Sequence, residues 1–172
     1  MCRPDLCVAA LEDIDLDALA EAGIRGLLLD RDKTLTSWRS REISHAKREW
    51  IEAARGRFRL CIVSNTIFKG GVRAIAAGLG IPAVCRWGLG RKPLPGGIRA
   101  ALREIEVGPQ EAAIIGDQLF TDVLGGNLVG LHTILVEPVP GREFLGTRLT
   151  RVLEAAVAKR LGLKPRPGAN EG

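Results

Sequence analysis

The stretch Leu27-Leu28-Leu29-Asp30-Arg31-Asp32-Lys33-Thr34-Leu35-Thr36 drives three leucines straight into two aspartates two residues apart. A run that is apolar at every position, rather than at every second one, suits a strand covered on both faces, as in a parallel sheet under helices. Positions i and i+2 of an extended chain point the same way, so Asp30 and Asp32 leave the strand end together. Open α/β sheets bind their ligands at the carboxyl ends of the strands. A D-x-D pair taken alone is also an Asp-rich turn capping a helix, so the rest of the chain has to add to it.

Working outward, Ala113-Ile114-Ile115-Gly116-Asp117-Gln118-Leu119-Phe120-Thr121-Asp122 is a second buried strand, ending in glycine and two further acids. Two strands thus deliver carboxylates to one edge. Clustered carboxylates repel one another unless a hard cation neutralises them, and oxygen-only ligation suits Mg²⁺. A third strand, Leu60-Cys61-Ile62-Val63, ends in Ser64-Asn65-Thr66, whose hydroxyl, amide and backbone N–H groups are ligands for phosphate oxygens. By itself that tripeptide is an ordinary turn. Arg91-Lys92-Pro93 precedes a helix and brings one cation within reach of the same edge, although a lone lysine is more often a surface residue.

The periodicity predicts strands at 24–29, 60–63, 81–85, 112–115 and 133–136, alternating with helices at 44–55, 71–79, 96–105 and 121–129. Gly80 and Gly108, with Pro82 and Pro109 just beyond, read as helix stops. The fold class is therefore α/β, a three-layer Rossmann-like arrangement with a mainly parallel sheet and helices on both faces. A last amphipathic helix runs through Leu149, Val152, Leu153, Ala156, Val157 and Leu161 and stops at Gly162 and Pro165. A length of 172 residues fits one domain, taken as 1–165, followed by a Pro- and Gly-rich flexible tail at 166–172.

Composition removes several functional classes. Hydrophobic residues at 46% and charged residues at 26% sit near globular averages, against disorder. Three Trp, four Phe and no Tyr supply little of the aromatic platform that single-strand nucleic-acid binders present, and no nucleic-acid partner is expected. The longest uncharged stretch, 14 residues from Val123 to Val136, contains Gly, Asn and His and is too short to span a bilayer. The apolar run Leu6 to Leu11 meets Glu12 and Asp13 at once, which is no signal-peptide core, so a cytoplasmic setting is expected. Cys2, Cys7, Cys61 and Cys85 are then thiols, and without a C-x-x-C pair they offer no zinc site. From Gly141 onward, seven Lys or Arg face three Glu, a net +4 of the chain's +5. That block is either a solvated helix face or an anionic-partner surface.

The order carboxylate pair, Ser, Lys, carboxylate pair is far more specific than any of its members. It resembles the haloacid dehalogenase (HAD) superfamily of phosphatases, whose four motifs correspond to Asp30-x-Asp32-x-Thr34, Ser64, Lys92 and Gly116-Asp117-x-x-x-x-Asp122. More narrowly the chain is similar to the subfamily IIIA phosphatases of the group related to phosphatidylglycerophosphate phosphatase. The residues behind this are Pro4-Asp5, Ile14-Asp15, Gly116-Asp117-Gln118 running into Thr121-Asp122-Val123-Leu124-Gly125-Gly126-Asn127, and Thr147-Arg148 opening a basic helix. That group usually has Asn where this chain has Lys33.

The resemblance implies a Mg²⁺-dependent phosphomonoester hydrolase. Asp30 would be the nucleophile that forms an aspartyl phosphate, and Asp32 the acid and then the base. Mg²⁺ would be held by Asp30, Asp117 and the backbone carbonyl of Asp32, with Ser64, Asn65, Thr34 and Lys92 on the phosphate and Asp122 behind Lys92 or a metal-bound water. Superfamily members commonly insert a cap between the first three motifs. Here those intervals are 34 residues (30 to 64) and 28 residues (64 to 92), too short for a cap beside the sheet connections. An open site admits a phosphate on something bulky, and a basic last helix suits peripheral contact with an anionic membrane. The leading substrate is phosphatidylglycerophosphate. The alternatives are a soluble phosphosugar or nucleotide and, from another class, a non-catalytic phosphoacceptor signalling domain. Receiver modules place their acidic pair and acceptor aspartate on different strands, whereas Asp30 and Asp32 share one strand end.

Overall fold

A computed structural model describes residues 1–31, 34–35, 43–66 and 69–137. The predicted helix around Leu149–Leu161, the boundary at 165, the tail 166–172, Lys33 and Asp32 lie outside the described residues.

Six parallel strands form one sheet: β1 (Leu6–Val8), β2 (Gly26–Leu29), β3 (Arg59–Ser64), β4 (Ala83–Cys85), β5 (Ala112–Gly116) and β6 (His132–Val136), in the spatial order β1-β6-β5-β2-β3-β4. Between them run α1 (Leu16–Glu21), α2 (His45–Arg55), α3 (Lys69–Leu79), α4 (Pro95–Glu104) and α5 (Leu124–Val129). The uninterrupted apolarity of β2 and β5 is used on both faces. Leu27, Leu29, Ala113 and Ile115 pack under Leu19 of α1, Trp50 and Ile51 of α2, and Val72 and Ile75 of α3. Leu28, Ala112 and Ile114 pack against Ile98, Ala101 and Leu102 of α4. This gives the three layers. α5 joins α4 on the second face, where a side chain on Gly126 would stand 2.4 Å from Ile114 and 2.7 Å from Thr133. Among the described residues, α2 is the sole element between Asp30 and β3, and α3, β4 and a 3₁₀ turn fill the interval from Ser64 to Lys92, so no cap is seen there.

The structure departs from the sequence reading in three places. The run beginning at Leu6 includes an edge strand, β1, paired in register with β6 (Leu6 with Ile134, Val8 with Val136). It is pinned by Asp5, whose Oδ2 accepts from the Thr133 N–H (2.8 Å) and hydroxyl (2.9 Å). α1 is a short helix capped by Asp15, whose carboxylate accepts from the N–H groups of Asp17 and Ala18. Gly108 does not stop α4. The helix ends at Glu104, and Glu106 takes the left-handed conformation (φ 53°), while Gly108 opens a 3₁₀ turn at φ −72°. Gly80, at φ +63°, does stand just past the end of α3.

Pro4-Asp5 and Asn127 meet at the start of β1 and β6, the sheet edge opposite Asp30. There the Asn127 amide donates to the carbonyls of Met1 (2.6 Å) and Arg3 (3.1 Å). Ile14 ties in through its carbonyl, which accepts from the buried Trp50 indole at 2.9 Å.

Candidate active site

Asp30 leaves the end of β2, the strand between β3 and β5, and its N–H is held by the Ile115 carbonyl at 2.9 Å. One strand to the β5 side, Asp117 follows Gly116 and is fully buried. Asp122 comes back to the same place from a single π-helical turn, Leu119–Val123. Only glycine permits this: a Cβ on Gly116 would lie 2.2 Å from the Asp122 carboxylate. One strand to the other side, Ser64 ends β3, buried, its hydroxyl accepting from the Thr66 N–H at 3.3 Å.

Lys92 joins the two sides. Its side chain is 1% exposed, and Nζ donates to Oδ1 of Asp30 and to Oδ1 of Asp122, both at 2.6 Å. Burial would lower its pKa, but the carboxylates of Asp122 and Asp30 outweigh that and hold it above its ordinary value. The two carboxylates thus favour the ammonium form of Lys92. Asp122 is shared, its other oxygen accepting from the Gln118 N–H at 3.2 Å.

Asp30, Asp117 and Asp122 each offer a carboxylate oxygen, and these oxygens lie within 4.8 Å of one another. Three buried carboxylates crowd together and one buried ammonium bridges two of them, so acid outnumbers base among these four groups. A small divalent cation offsets that excess, and an all-oxygen donor set is what Mg²⁺ takes. The residues present fit the ion.

Two positioning contacts escape the sequence reading. Asn65, read as a phosphate ligand, uses its amide on the Lys92 main chain: Oδ1 accepts from the Lys92 N–H (2.7 Å) and Nδ2 donates to the Lys92 carbonyl (2.9 Å). Lys47 of α2 is buried and donates from Nζ to the carbonyl of Thr34. Burial lowers the Lys47 pKa, opposed by the charge of Glu12. The Thr34 hydroxyl is itself buried and has no hydrogen-bond partner among the described residues. A signal for Lys47 exists, because it shares the inward face of α2 with Trp50, Ile51 and Ala54 at helical spacing. No local pattern marks the Asn65 pairing. A larger signal lies in the charges: residues 53–103 contain ten Lys or Arg and no Asp or Glu.

An α/β sheet with this constellation at its carboxyl edge defines a HAD-type hydrolase, and comparison with known proteins agrees. A HAD-hydrolase-like family model matches residues 89–138, and a mitochondrial PGP phosphatase family model matches residues 1–75. A HAD phosphatase from Thermococcus onnurineus superposes with a TM-score of 0.51 at 21% identity, over 60% of this chain and 51% of that one, a likeness of fold. Probable phosphatase YqeG of Bacillus subtilis is 35% identical over 162 residues, 94% of this chain and 92% of that protein. The chain belongs to the HAD phosphatase family, which hydrolyses phosphate esters, and within it is related to the PGP phosphatases. Phosphatidylglycerophosphate phosphatase 1, chloroplastic/mitochondrial, of Arabidopsis thaliana is 32% identical over 177 residues, 94% of this chain but 49% of that protein, so this chain spans about half of its length.

Proposed function

We propose that the chain hydrolyses phosphatidylglycerophosphate with Mg²⁺, through an aspartyl phosphate on Asp30. The observation that carries the chemistry is the placement of Lys92 Nζ, 2.6 Å from both Asp30 and Asp122. A buried cation of this kind keeps the nucleophile charged and stands ready for phosphoryl oxygens. A carboxylate oxygen of Asp30 attacks phosphorus, the bond to the leaving alcohol breaks, and Asp32 gives that alcohol its proton. Water then attacks the phosphoryl group, Asp32 takes its proton, and the bond to Asp30 breaks to release inorganic phosphate. Ser64, Lys92 and the buried hydroxyl of Thr34 hold the phosphoryl oxygens, with Asn65 fixing Lys92. Mg²⁺ would be held by Asp30, Asp117 and the Asp32 carbonyl, and it would neutralise charge on the transferring group.

The lipid substrate is supported by the related Arabidopsis phosphatase and by the absence of a cap among the described residues. The same features suit a protein of one hydrolase domain, 1–165, working at a membrane surface from the aqueous side. The test is a phosphate-release panel with Mg²⁺, comparing phosphatidylglycerophosphate in mixed micelles with soluble phosphosugars, nucleoside monophosphates and an aryl phosphate. The lipid should be preferred at least tenfold in kcat/KM. Equal or better turnover of a soluble ester would overturn the lipid assignment, and no sustained phosphate release from any ester would return the chain to a phosphoacceptor role.

A further inference from the structure

Five large hydrophobic side chains are exposed among the described residues, and two of them, Trp87 (62%) and Leu94 (43%), stand within one nine-residue stretch, 86–94. That stretch leaves the carboxyl end of β4, on the same sheet edge as Asp30. Its first N–H, from Arg86, donates to the Ser64 carbonyl at 3.1 Å, and it contains Lys92. The loop therefore forms the rim of the site on the phosphate side. Arg86 and Arg91 are exposed as well, and the Arg91 guanidinium lies 5.8 Å from the centre of the Trp87 ring. Neither arginine forms an ion pair among the described residues, and the nearest acids along the chain are Glu52 and Glu104.

An exposed indole, an exposed leucine and two exposed guanidiniums on one rim match a bilayer interface. Indole is amphipathic and settles at headgroup depth, leucine enters the acyl boundary, and arginine keeps its charge among lipid phosphates. We propose that the 86–94 loop docks on an anionic phospholipid surface and thereby sets the mouth of the site at headgroup height. The proposal rests on the reading that the phosphate is lipid-borne. It assigns the contact to residues 86–94 rather than to the basic residues after Gly141.

The test is co-sedimentation of the full chain with vesicles of phosphatidylcholine alone or with about one third phosphatidylglycerol. Three forms are compared: wild type, Trp87→Ser with Leu94→Ser, and Arg86→Gln with Arg91→Gln. Wild type should bind the mixed vesicles, weakly or not at all the neutral ones, and less in high salt. Each double variant should bind at least tenfold less, since a cation at the headgroup layer is worth about fivefold. Hydrolysis of a soluble aryl phosphate should stay within twofold in the apolar double variant, which shows that the fold and site survive. Binding by both double variants equal to wild type, or loss only when Arg148, Arg151, Lys159 and Arg160 are replaced, overturns the loop as the docking surface. Failure of wild type to bind anionic vesicles does so too, as does stronger retention on a single-stranded oligonucleotide that depends on Trp87. Phosphatidylglycerophosphate in detergent micelles separates the two readings. Turnover there without vesicle binding removes the docking surface alone, and vesicle binding through the loop without turnover removes the substrate alone.

Discussion

Residues 53–103 carry ten Lys or Arg and no acid; residues 104–137 carry six acids (Glu104, Glu106, Glu111, Asp117, Asp122, Glu137) and no Lys or Arg. The first region builds β3, α3, β4 and α4, the second β5, α5 and β6. β2 lies between β3 and β5, so Asp30 stands on the seam between a basic and an acidic half-sheet. One half carries a buried hydroxyl and a buried ammonium, Ser64 and Lys92; the other carries the buried carboxylates Asp117 and Asp122. Among the described residues, two ion pairs cross the seam, with very different worth. Arg59–Glu106, at 3.0 Å, is exposed on both sides and contributes little. Lys92–Asp122, at 2.6 Å with 1% exposure on each side, is held where charge cannot be left alone.

The seam can be broken most sharply at its centre. Asp30→Asn keeps the shape and removes the proposed nucleophile, so phosphate release should fall at least about a thousandfold while the far-UV spectrum is unchanged. Activity within tenfold of wild type would take the role from Asp30. Lys92→Met comes next, because it takes from the buried Asp30 and Asp122 the ammonium that bridges them. Urea unfolding without Mg²⁺ should show a loss of about 3–5 kcal/mol. Part of that loss should return with millimolar Mg²⁺, and part with Asp122→Asn added to Lys92→Met. A Lys92→Met protein that melts like wild type would mean that the two halves are not held across the seam by charge.

A smaller effect is expected from the residue that sets where Lys92 stands. Asn65→Ala removes both bonds to the Lys92 main chain, and kcat/KM should fall about 10- to 100-fold, mainly in kcat, as Nζ loses its fixed position. Asn65→Asp retains the acceptor for the Lys92 N–H and should recover part of the loss. An equal loss in both variants, confined to KM, would instead make Asn65 a direct substrate contact.

The legible parts of the molecule are those where one local pattern has one physical cause. β2, β3 and β5 are apolar at successive positions because both faces are covered, and their ends announce Asp30, Ser64 and Asp117. β1 is legible only through its partner: three residues at an edge, pinned by Asp5 to Thr133 across 128 positions, leave no periodicity to read. Glu106 takes the left-handed turn that glycine chemistry assigns to Gly108, which no propensity foretells. Asn65 and Lys47 act by grasping main-chain atoms 27 and 13 residues away, and main-chain partners leave no mark on residue type. The charge division was in plain view. A net +5 conceals it, because +10 and −6 in adjacent segments appear in the whole-chain sum only as their difference, +4.

The least of the effects comes from Cys61, which lies on β3 in the basic half, yet is influenced from the acidic one. Its thiol is fully buried, and burial, opposed by a backbone hydrogen bond from Val84 and aided by the charges of Glu104 and Cys85, pushes its pKa up from 9.0 to about 12. An unfolded chain ionises this thiol from about pH 9, whereas the folded one keeps the proton. Between the two values the native state binds more protons, so stability falls as pH rises through that window and is untouched below it. At pH 10 the contribution is about 1 kcal/mol relative to pH 8. Lysines and the remaining cysteines also titrate there, so the measurement is a difference: urea midpoints of wild type and Cys61→Ala at pH 8 and pH 10. The variant should be less stable than wild type at pH 8, from the small void, and the gap should narrow at pH 10. A gap that stays constant would mean that Cys61 ionises no later in the fold than out of it. Replacing Glu104 with Gln should shift the gap by a few tenths of a kcal/mol at most, which bounds how far the acidic half reaches across the seam.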